Sequence, residues 1–277
     1  MDLGQALRHY TSILREAVEE PVLESRVIIQ KATGLRRPVL LSHPERELSG
    51  TEQGAIEAMA ARRLRGEPLP YILGEWEFFG HSFIVNQSVL IPRPETEMLV
   101  EEALTWLKQG HFPAMAFDIG TGSGCIAISL LLERPDLMVT AVDIRRDTLR
   151  TAVKNAERHG CADRFLPVRA DLFTCFSTAP GLICANLPYI PTETCADLPA
   201  AVHEPMTALD GGPDGFDLYR LLFQQIRNKI NKEALILCEI EYRQKDLAYK
   251  TAKEYFPERK AEVLPDLAGQ PRLLRIE

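Results

Sequence analysis

The sequence predicts an α/β fold, in which a doubly wound domain with a parallel sheet follows a small all-helical domain. Residues 1–74 have helical periodicity, residues 75–92 alternate loosely around a turn residue, and apolar segments alternate with helical segments from residue 114 onward. Apolar strands separated by helices are typical of a parallel sheet that is covered on both faces. We therefore expect a helical domain at 1–74, a β-hairpin linker at 75–92 and an α/β domain at 93–277.

The helical domain is predicted from apolar spacing and from signals at the helix ends. Its first helix follows apolar residues three or four positions apart: Leu3, Leu7, Tyr10, Leu14 and Ala17. A second helix, around 22–33, ends at Gly34. A third begins where Ser49 and Glu52 have the spacing of a capping box, and it ends at Gly66.

The linker and the α/β domain follow from the same kind of pattern. Residues 75–92 are rich in Phe and Val with Gly80 as the turn residue, which predicts a hairpin, and Pro94 suits the first turn of the next helix. The candidate strands are AMAFDIG, VTAVDI, RFLPVRAD, LICANLP and ALILCEI, with KAEVLPDL and RLLRIE in the tail. Helices are expected near 124–134, 147–159 and 217–230.

The amino-acid composition limits the kinds of function that the protein can have. The 277 residues include 32 basic and 39 acidic side chains, a net charge of −7. Proteins that bind through phosphate contacts are more often basic, so we expect no direct contact with nucleic acid. No apolar segment approaches the ~20 residues of a membrane span and no signal peptide follows Met1, so we expect no membrane association. Six cysteines without a C-x-x-C pair argue against a metal site and favour a reducing cytoplasm. We also expect the protein to be a monomer.

A glycine-rich loop follows the first strand of the α/β domain. In FDIGTGSGC its residues are Gly120, Thr121, Gly122, Ser123 and Gly124. Glycines here permit positive φ and let a ligand approach the backbone, although a tight strand–helix turn without a ligand also fits a lone glycine triplet. The spacing G-x-G-x-G differs from the dinucleotide fingerprint, and the sequence has no Walker loop. The loop predicts a nucleoside-containing ligand without identifying it.

Acidic residues follow the next two strands. Asp143 ends VTAVD about twenty residues further on, where a carboxylate can accept hydrogen bonds from both ribose hydroxyls. Alone it is equally well explained as a solvated acid or a helix N-cap. After the third strand, Asp171 can meet an adenine amino group while Leu172 packs on the ring, or Asp171 can cap a turn.

The tetrapeptide NLPY ends the fourth strand, which should lie beside the first in this fold class. An amide or aromatic nitrogen is a poor nucleophile, and two acceptors at its N–H bonds would aim its lone pair at an electrophile. The Asn186 side-chain oxygen and the Leu187 carbonyl can be these acceptors. Pro188 fixes the backbone and Tyr189 offers a flat face for the substrate. An Asn-x-Pro turn explains the tetrapeptide alone about as well.

These motifs resemble those of a known family. DIGTGSG, Asp143 and NLPY resemble the S-adenosylmethionine-dependent amino-methyltransferases, whose signature is Asn/Asp-Pro-Pro-Tyr. The segments GEPLPYILGEWEFFG, VLIPRPETEMLVE, VHEPMTALDGGPDGFDLYR and DLAGQPR, in this order, resemble the peptide chain release factor glutamine methyltransferases. The likeness covers most of the chain, and IPRPETE is its strongest mark.

The resemblance implies methylation of the glutamine side-chain nitrogen in the Gly-Gly-Gln motif of release factors. It implies S-adenosylmethionine as methyl donor, S-adenosylhomocysteine as product, and a Rossmann-like domain behind a helical domain that helps to hold the release factor. By position, residues 120–124 would line the methionine and ribose side of the cofactor. Asp143 would hold the ribose, Leu172 would pack near the adenine, and residues 186–189 would hold the glutamine.

Four further positions matter for the comparison with the family pattern. Glu204 and Pro205 would support the pocket, with Glu204 as a surface acid the alternative. The family has a proline where Leu187 stands and a glycine where Glu241 stands. A leucine still supplies the backbone carbonyl that the chemistry needs.

Two competing functions remain open at this point. NLPY also resembles the tetrapeptide of adenine amino-methyltransferases that act on ribosomal RNA or DNA, because adenine's exocyclic amine needs the same pair of acceptors. The basic face and stacking aromatics of an RNA reader are not evident in the sequence. A non-catalytic cofactor-binding module that docks on the translation machinery is the other alternative. Asn186 and Tyr189 argue against it, since a pure binder has no use for an amine-gripping loop.

Overall fold

The computed structural model describes residues 1–111, 115–177, 180–195, 197–198 and 202–277. Its chain divides into two compact units, Met1–Glu75 and Trp76–Glu277. Ala114, the first residue of the predicted strand AMAFDIG, lies outside the described residues. No helix in the described part of the chain is long and apolar enough to cross a membrane.

The first unit is helical, as predicted. Its helices are α1 (Leu3–Leu14), α2 (Pro21–Thr33), α3 (Arg37–Ser42), α4 (Gly50–Leu64) and α5 (Leu69–Leu73). The capping box of α4 is confirmed: Glu52 N donates to Ser49 Oγ at 3.2 Å, and Ser49 N donates to Glu52 Oε2 at 2.7 Å. The short helices α3 and α5 were not predicted, because each is too brief to show a helical period.

The hairpin and the α/β elements follow. The strands are β1 (Glu75–Phe78), β2 (His81–Ile84), β3 (Ala116–Ile119), β4 (Val139–Asp143), β5 (Phe165–Arg169), β6 (Leu182–Ala185), β7 (Leu235–Glu239), β8 (Ala261–Pro265) and β9 (Pro271–Ile276). The helices are α6 (Glu97–Lys108), α7 (Cys125–Glu133), α8 (Arg146–Arg158), α9 (Thr192–Cys195), α10 (Asp217–Ile226) and α11 (Lys245–Tyr255). Short 3₁₀ helices cover Pro94–Thr96, Met206–Ala208 and Tyr242–Gln244.

The seven-stranded sheet has the order β5-β4-β3-β6-β7-β9-β8, and its first five strands are parallel. Alternate strand residues face opposite sides: one side packs on α6, α7 and α8, and the other packs on α10 and α11. This confirms the doubly wound α/β fold. Both tail strands are confirmed too, but they are antiparallel to their neighbours. The sequence did not predict their direction, and it did not predict α9 or α11.

The strand order places a topological switch point between β3 and β6. From β3 the chain builds β4 and β5 on one side, whereas β6 and β7 lie on the other. Ile119 at the end of β3 lies opposite Ala185 at the end of β6. Ligands of open α/β sheets bind at this kind of position, outside the carboxyl ends of the strands.

Candidate active site

A cavity opens at the switch point. Eight of the residues singled out from the sequence line it: Gly120, Thr121, Gly122, Ser123, Asp143, Asn186, Pro188 and Pro205. The segment 88–93 and residues 205–208 close its other sides. The sequence marked residues 89–101 for their family likeness but gave the 88–93 segment no place at the cavity, because it has no ligand-binding motif and reaches the cavity only through the fold.

The glycine loop is held against the ends of two strands. Gly120 N and Thr121 N both donate to the Val142 carbonyl, at 2.8 and 2.9 Å. Gly120 has a φ of +77°, and a Cβ added there would lie 2.9 Å from Leu187 Cδ2. Because the loop passes so close to the tetrapeptide, glycine is required at this position for both its conformation and its lack of a side chain.

Asp143 lies at the cavity with its carboxylate partly committed to the backbone. Its Oδ2 accepts from Gly122 N at 3.2 Å and its Oδ1 accepts from Arg145 N at 2.9 Å. Burial raises the pKa of this carboxyl above its usual value. Each oxygen retains a lone pair for a further donor, so two neighbouring hydroxyls can bind here.

Asp118 is a residue that sequence reasoning missed. Its side chain is fully buried, and its Oδ2 accepts from Thr121 Oγ1 at 2.7 Å and from Ala127 N at 3.2 Å. Burial raises the pKa of this carboxyl to about 6. Asp118 thus ties the loop to the first turn of α7. An acid within the apolar segment AFDI was the signal that could have found it.

The side chain of Asn186 has a defined orientation. Its Nδ2 donates to Thr96 Oγ1 at 3.0 Å, and no described residue donates to its Oδ1. The backbone of Leu187 is similarly divided: its N–H donates to the Tyr219 hydroxyl at 3.1 Å, whereas no described residue donates to its carbonyl. The tetrapeptide thus uses its donors within the protein and keeps two acceptors for a ligand.

Tyr189 is anchored at both its side chain and its backbone. Its hydroxyl donates to Glu239 Oε1 at 3.2 Å, and its carbonyl accepts from Gln244 Nε2 at 2.9 Å. Burial and the nearby Glu239 carboxylate raise the pKa of Tyr189. The ring does not line the cavity in this structure. Its hydroxyl and carbonyl contacts hold the end of the tetrapeptide in place.

The structure supplies a physical account of Glu241, which replaces the family's glycine. Glu241 has a φ of −73°, so no glycine is needed, and its side chain accepts from Arg243 N at 2.9 Å. Glu241 N in turn donates to Gln244 Oε1 at 3.1 Å. This capping box directs Gln244 Nε2 toward the carbonyls of Tyr189 and Gly215.

Pro205 lies at the cavity wall, and Glu204 lies next to it in the chain. Glu204 is 5% exposed, pairs with Arg93 Nη2 at 2.5 Å and accepts from Ile91 N at 3.2 Å. Arg93 and Pro205 both line the cavity. The Glu204 carboxylate therefore joins the 88–93 segment to the loop that carries Pro205, which a surface acid would not do.

The remaining predicted site residues do not line the cavity. Asp171 is exposed, and Leu172 is buried in the core with a φ of +49°. Gly124 begins α7, and a Cβ there would lie 3.2 Å from that of Ala152. Leu187 points its side chain into the core beneath Gly120. The adenine-binding role of Asp171 and Leu172 stays a prediction.

Two family models match the chain. The PrmC N-terminal domain matches residues 5–74, and the methyltransferase small domain matches residues 96–189. Among solved structures, the chain is similar in fold to a ribosomal protein L11 methylase from Lactobacillus delbrueckii, with a TM-score of 0.51 and 19% identity over 70% of this chain and 83% of the other. It is also similar to the hMettl16 catalytic domain, with a TM-score of 0.58 and 16% identity over 79% and 81%.

Curated relatives match over nearly the whole chain. A release factor glutamine methyltransferase from Nitratidesulfovibrio vulgaris is 39% identical over 97% of this chain and 92% of its own. Another from Moorella thermoacetica is 38% identical over 98% of this chain and 95% of its own. These matches confirm the likeness inferred from the motifs and the seven-stranded fold: this chain belongs to the release factor glutamine methyltransferase family.

Proposed function

We propose that this protein transfers a methyl group from S-adenosylmethionine to the side-chain amide nitrogen of the glutamine in the Gly-Gly-Gln motif of peptide chain release factors. The products are the N-methylated glutamine and S-adenosylhomocysteine. Family membership supports the reaction, and one observation carries its chemistry. Asn186 donates its N–H to Thr96 and leaves its side-chain oxygen without a donor among the described residues, at the cavity.

The residues at the cavity fit S-adenosylmethionine. The glycine loop offers a backbone surface without side chains, and Ser123 Oγ is a buried polar atom with no hydrogen-bond partner in the described chain. We propose that residues 120–124 bind the methionine and ribose portion and that Asp143 binds the ribose hydroxyls. Asp171 and Leu172 are proposed for the adenine, and Asn186 for the side nearest the methyl group.

The chemistry needs orientation more than acid–base catalysis. The bound cofactor supplies a methyl carbon that is electrophilic because it is attached to a sulfonium. We propose that Asn186 Oδ1 and the Leu187 carbonyl accept the two N–H bonds of the substrate amide. This draws the nitrogen lone pair out of conjugation and aims it along the line of attack. Pro188 and Tyr189 shape the remainder of the substrate site.

The methyl transfer needs only one bond formed, one bond broken and one proton released. The nitrogen lone pair forms the N–C bond while the C–S bond breaks and its electron pair stays on sulfur. The nitrogen then carries an extra proton and is acidic enough to release it to water. No described side chain is required as a base.

The helical unit and the setting complete the proposal. We propose that residues 1–74 help to hold the release factor, that the protein acts in the cytoplasm as a monomer, and that it needs no direct contact with nucleic acid. A neutral amide substrate is compatible with the net charge of −7.

Transfer of labelled methyl groups tests the function. Purified protein with methyl-labelled S-adenosylmethionine is expected to label a bacterial release factor, and a release factor with Gln→Ala in the Gly-Gly-Gln motif should stay unlabelled. Label on naked ribosomal RNA alone would overturn the glutamine assignment in favour of adenine. Cofactor binding without transfer to either would indicate a non-catalytic module. Asn186→Ala is expected to lower transfer by ~10²–10³-fold while cofactor affinity stays within about tenfold.

A further inference from the structure

A short chain of polar contacts connects Asn186 to a buried carboxylate. Asn186 Nδ2 donates to Thr96 Oγ1 at 3.0 Å. Thr96 is 2% exposed, and its side chain lies close enough to the Glu239 carboxyl to lower its pKa, while Glu239 Oε2 is buried with no hydrogen-bond partner among the described residues. Glu239 Oε1 accepts from the Tyr189 hydroxyl at 3.2 Å. Glu239 therefore contacts the tetrapeptide at Tyr189 directly and at Asn186 through Thr96.

The direction of this chain follows from the chemistry of its members. An ionised carboxylate only accepts hydrogen bonds, and Glu239 Oε2 lacks a donor, so the single proton of the Thr96 hydroxyl is best placed when it points toward Glu239. The Thr96 oxygen then offers Asn186 only lone pairs. Asn186 satisfies them with its N–H₂ end, which turns its carbonyl oxygen the other way. With the opposite amide orientation, the Asn186 oxygen would face the Thr96 oxygen. The Thr96 hydroxyl would then have to turn away from the Glu239 carboxylate, its best acceptor, to donate to Asn186.

Glu239 has the charge that this requires. Its side chain is 1% exposed at the end of β7, and burial raises its pKa to about 6, while the nearby Thr96, Tyr189 and Arg272 side chains oppose that rise. It is therefore ionised at the pH of a standard assay near 8. Glu95 lies near enough to raise the pKa in the same sense as burial.

We infer that Glu239 and Thr96 are positioning residues that fix which end of the Asn186 amide faces the substrate. The inference rests on the proposed function, because it assigns to Asn186 the role of acceptor for the substrate amide. It adds that this role is imposed by a carboxylate that does not line the cavity. If these hydrogen bonds ran in the opposite direction, the Asn186 NH₂ group would face the substrate NH₂ group, and two donors would meet without an acceptor.

Isosteric variants separate this role from packing. Thr96→Val keeps the shape and removes the hydroxyl, Thr96→Ser keeps the hydroxyl, and Glu239→Gln replaces one acceptor by a donor that can reverse the chain. We expect Thr96→Val and Glu239→Gln each to lower kcat for release factor methylation by at least tenfold. Thr96→Ser should recover turnover to within about threefold of wild type. Cofactor Kd, measured by calorimetry, should stay within about tenfold, as for Asn186→Ala, since residues 120–124 and Asp143 keep their proposed contacts.

The double variant tests whether Thr96 and Glu239 act on Asn186 through the same hydrogen bonds. Thr96 and Glu239 act through one chain, so Thr96→Val with Glu239→Gln should be no slower than the slower single variant. Thr251→Val, which removes a buried hydroxyl on α11, is the matched control and should keep wild-type kcat. Multiplicative losses in the double variant, or wild-type kcat in Thr96→Val, would overturn the inference. If Glu239→Gln does not fold, Thr96→Val against Thr96→Ser still decides. Failure of the wild-type protein to label any release factor would instead overturn the proposed function.

Discussion

The Asn155 side chain takes the place of a strand partner for Ile84. Its Oδ1 accepts from Ile84 N at 2.7 Å, and its Nδ2 donates to the Ile84 carbonyl at 3.0 Å. The same Nδ2 donates to the Ser123 carbonyl at 2.8 Å. One fully buried amide on α8 therefore holds the end of the hairpin and the glycine loop together. The segment that follows Ile84 forms a wall of the cavity, so the Asn155 amide links this wall to the glycine loop.

Replacing this amide should affect stability and cofactor binding together. Asn155→Leu keeps the branched shape but removes the partner of three backbone groups, two at the half-buried Ile84 and one at the buried Ser123, which should lower the free energy of unfolding by about 3 kcal/mol. Cofactor affinity should fall by more than fivefold because the loop loses its anchor at Ser123. Urea unfolding and calorimetry measure the two effects.

Asn86→Ala is the control for that experiment. Asn86 lies on the same segment and donates to Thr151 Oγ1 at 3.0 Å, but its side chain is exposed. We expect its loss to cost less than about 1 kcal/mol. Equal destabilisation by the two variants would show that burial of the Asn155 hydrogen bonds is not what matters.

The close approach of Gly120 to Leu187 gives a second prediction. Gly120→Ala places a Cβ 2.9 Å from Leu187 Cδ2 at a φ of +77°. The loop or the leucine has to move, so we expect cofactor affinity to fall by at least tenfold. Gly160→Ala shares the positive φ of +67° but has nothing within 4 Å of its new Cβ. It isolates the cost of conformation, about 1 kcal/mol, and should leave cofactor affinity unchanged.

Local signals in the sequence were enough for the parallel strands, the helices with clear ends and the loop of residues 120–124. They could not place the 88–93 segment or Glu239 at the site. The segment reaches the cavity through tertiary contacts such as that of Arg93 with Glu204, and Glu239 lies nearby because β7 is the neighbour of β6. They also could not give the direction of β8 and β9, since an apolar strand looks the same in either direction. Leu172 shows the opposite limit: it follows a strand at the expected edge but turns into the core.

The buried carboxyl of Asp118 predicts a distinctive pH dependence. Its pKa is raised from 3.8 to about 6, so the folded state binds this proton more tightly than the unfolded state. Its stabilising contribution is complete below about pH 4 and is lost as the pH rises through about 6. Asp118→Asn does not titrate. The free energy of unfolding of the variant, relative to that of wild type, should therefore rise by about 3 kcal/mol between pH 4 and pH 7.

A second acid provides the opposite sign for comparison. The hydrogen bonds from Thr192 Oγ1 and Gly212 N lower the pKa of Asp210. The stabilisation by Asp210 is present above its ordinary pKa and is lost as the pH falls. The destabilisation caused by Asp210→Asn should therefore be smallest at low pH. Urea unfolding at several pH values measures both. Parallel pH profiles for Asp118→Asn and wild type would contradict the assignment of a raised pKa.

The last prediction concerns Leu187, which stands where the family has proline. Leu187→Pro removes the N–H that donates to the Tyr219 hydroxyl, but Tyr219 still donates to the Glu239 carbonyl. The loss should cost about 1 kcal/mol for the hydrogen bond and about as much again for reduced packing beneath Gly120. The carbonyl proposed to accept the substrate N–H is kept, so release factor methylation should stay within about tenfold of wild type. Leu187→Ala keeps the N–H and loses the packing, so its unfolding free energy shows how much of the cost comes from packing alone. A loss of transfer beyond a hundredfold in Leu187→Pro, with cofactor affinity intact, would mean that the leucine N–H and its tyrosine partner position the substrate, and that the carbonyl alone is not enough.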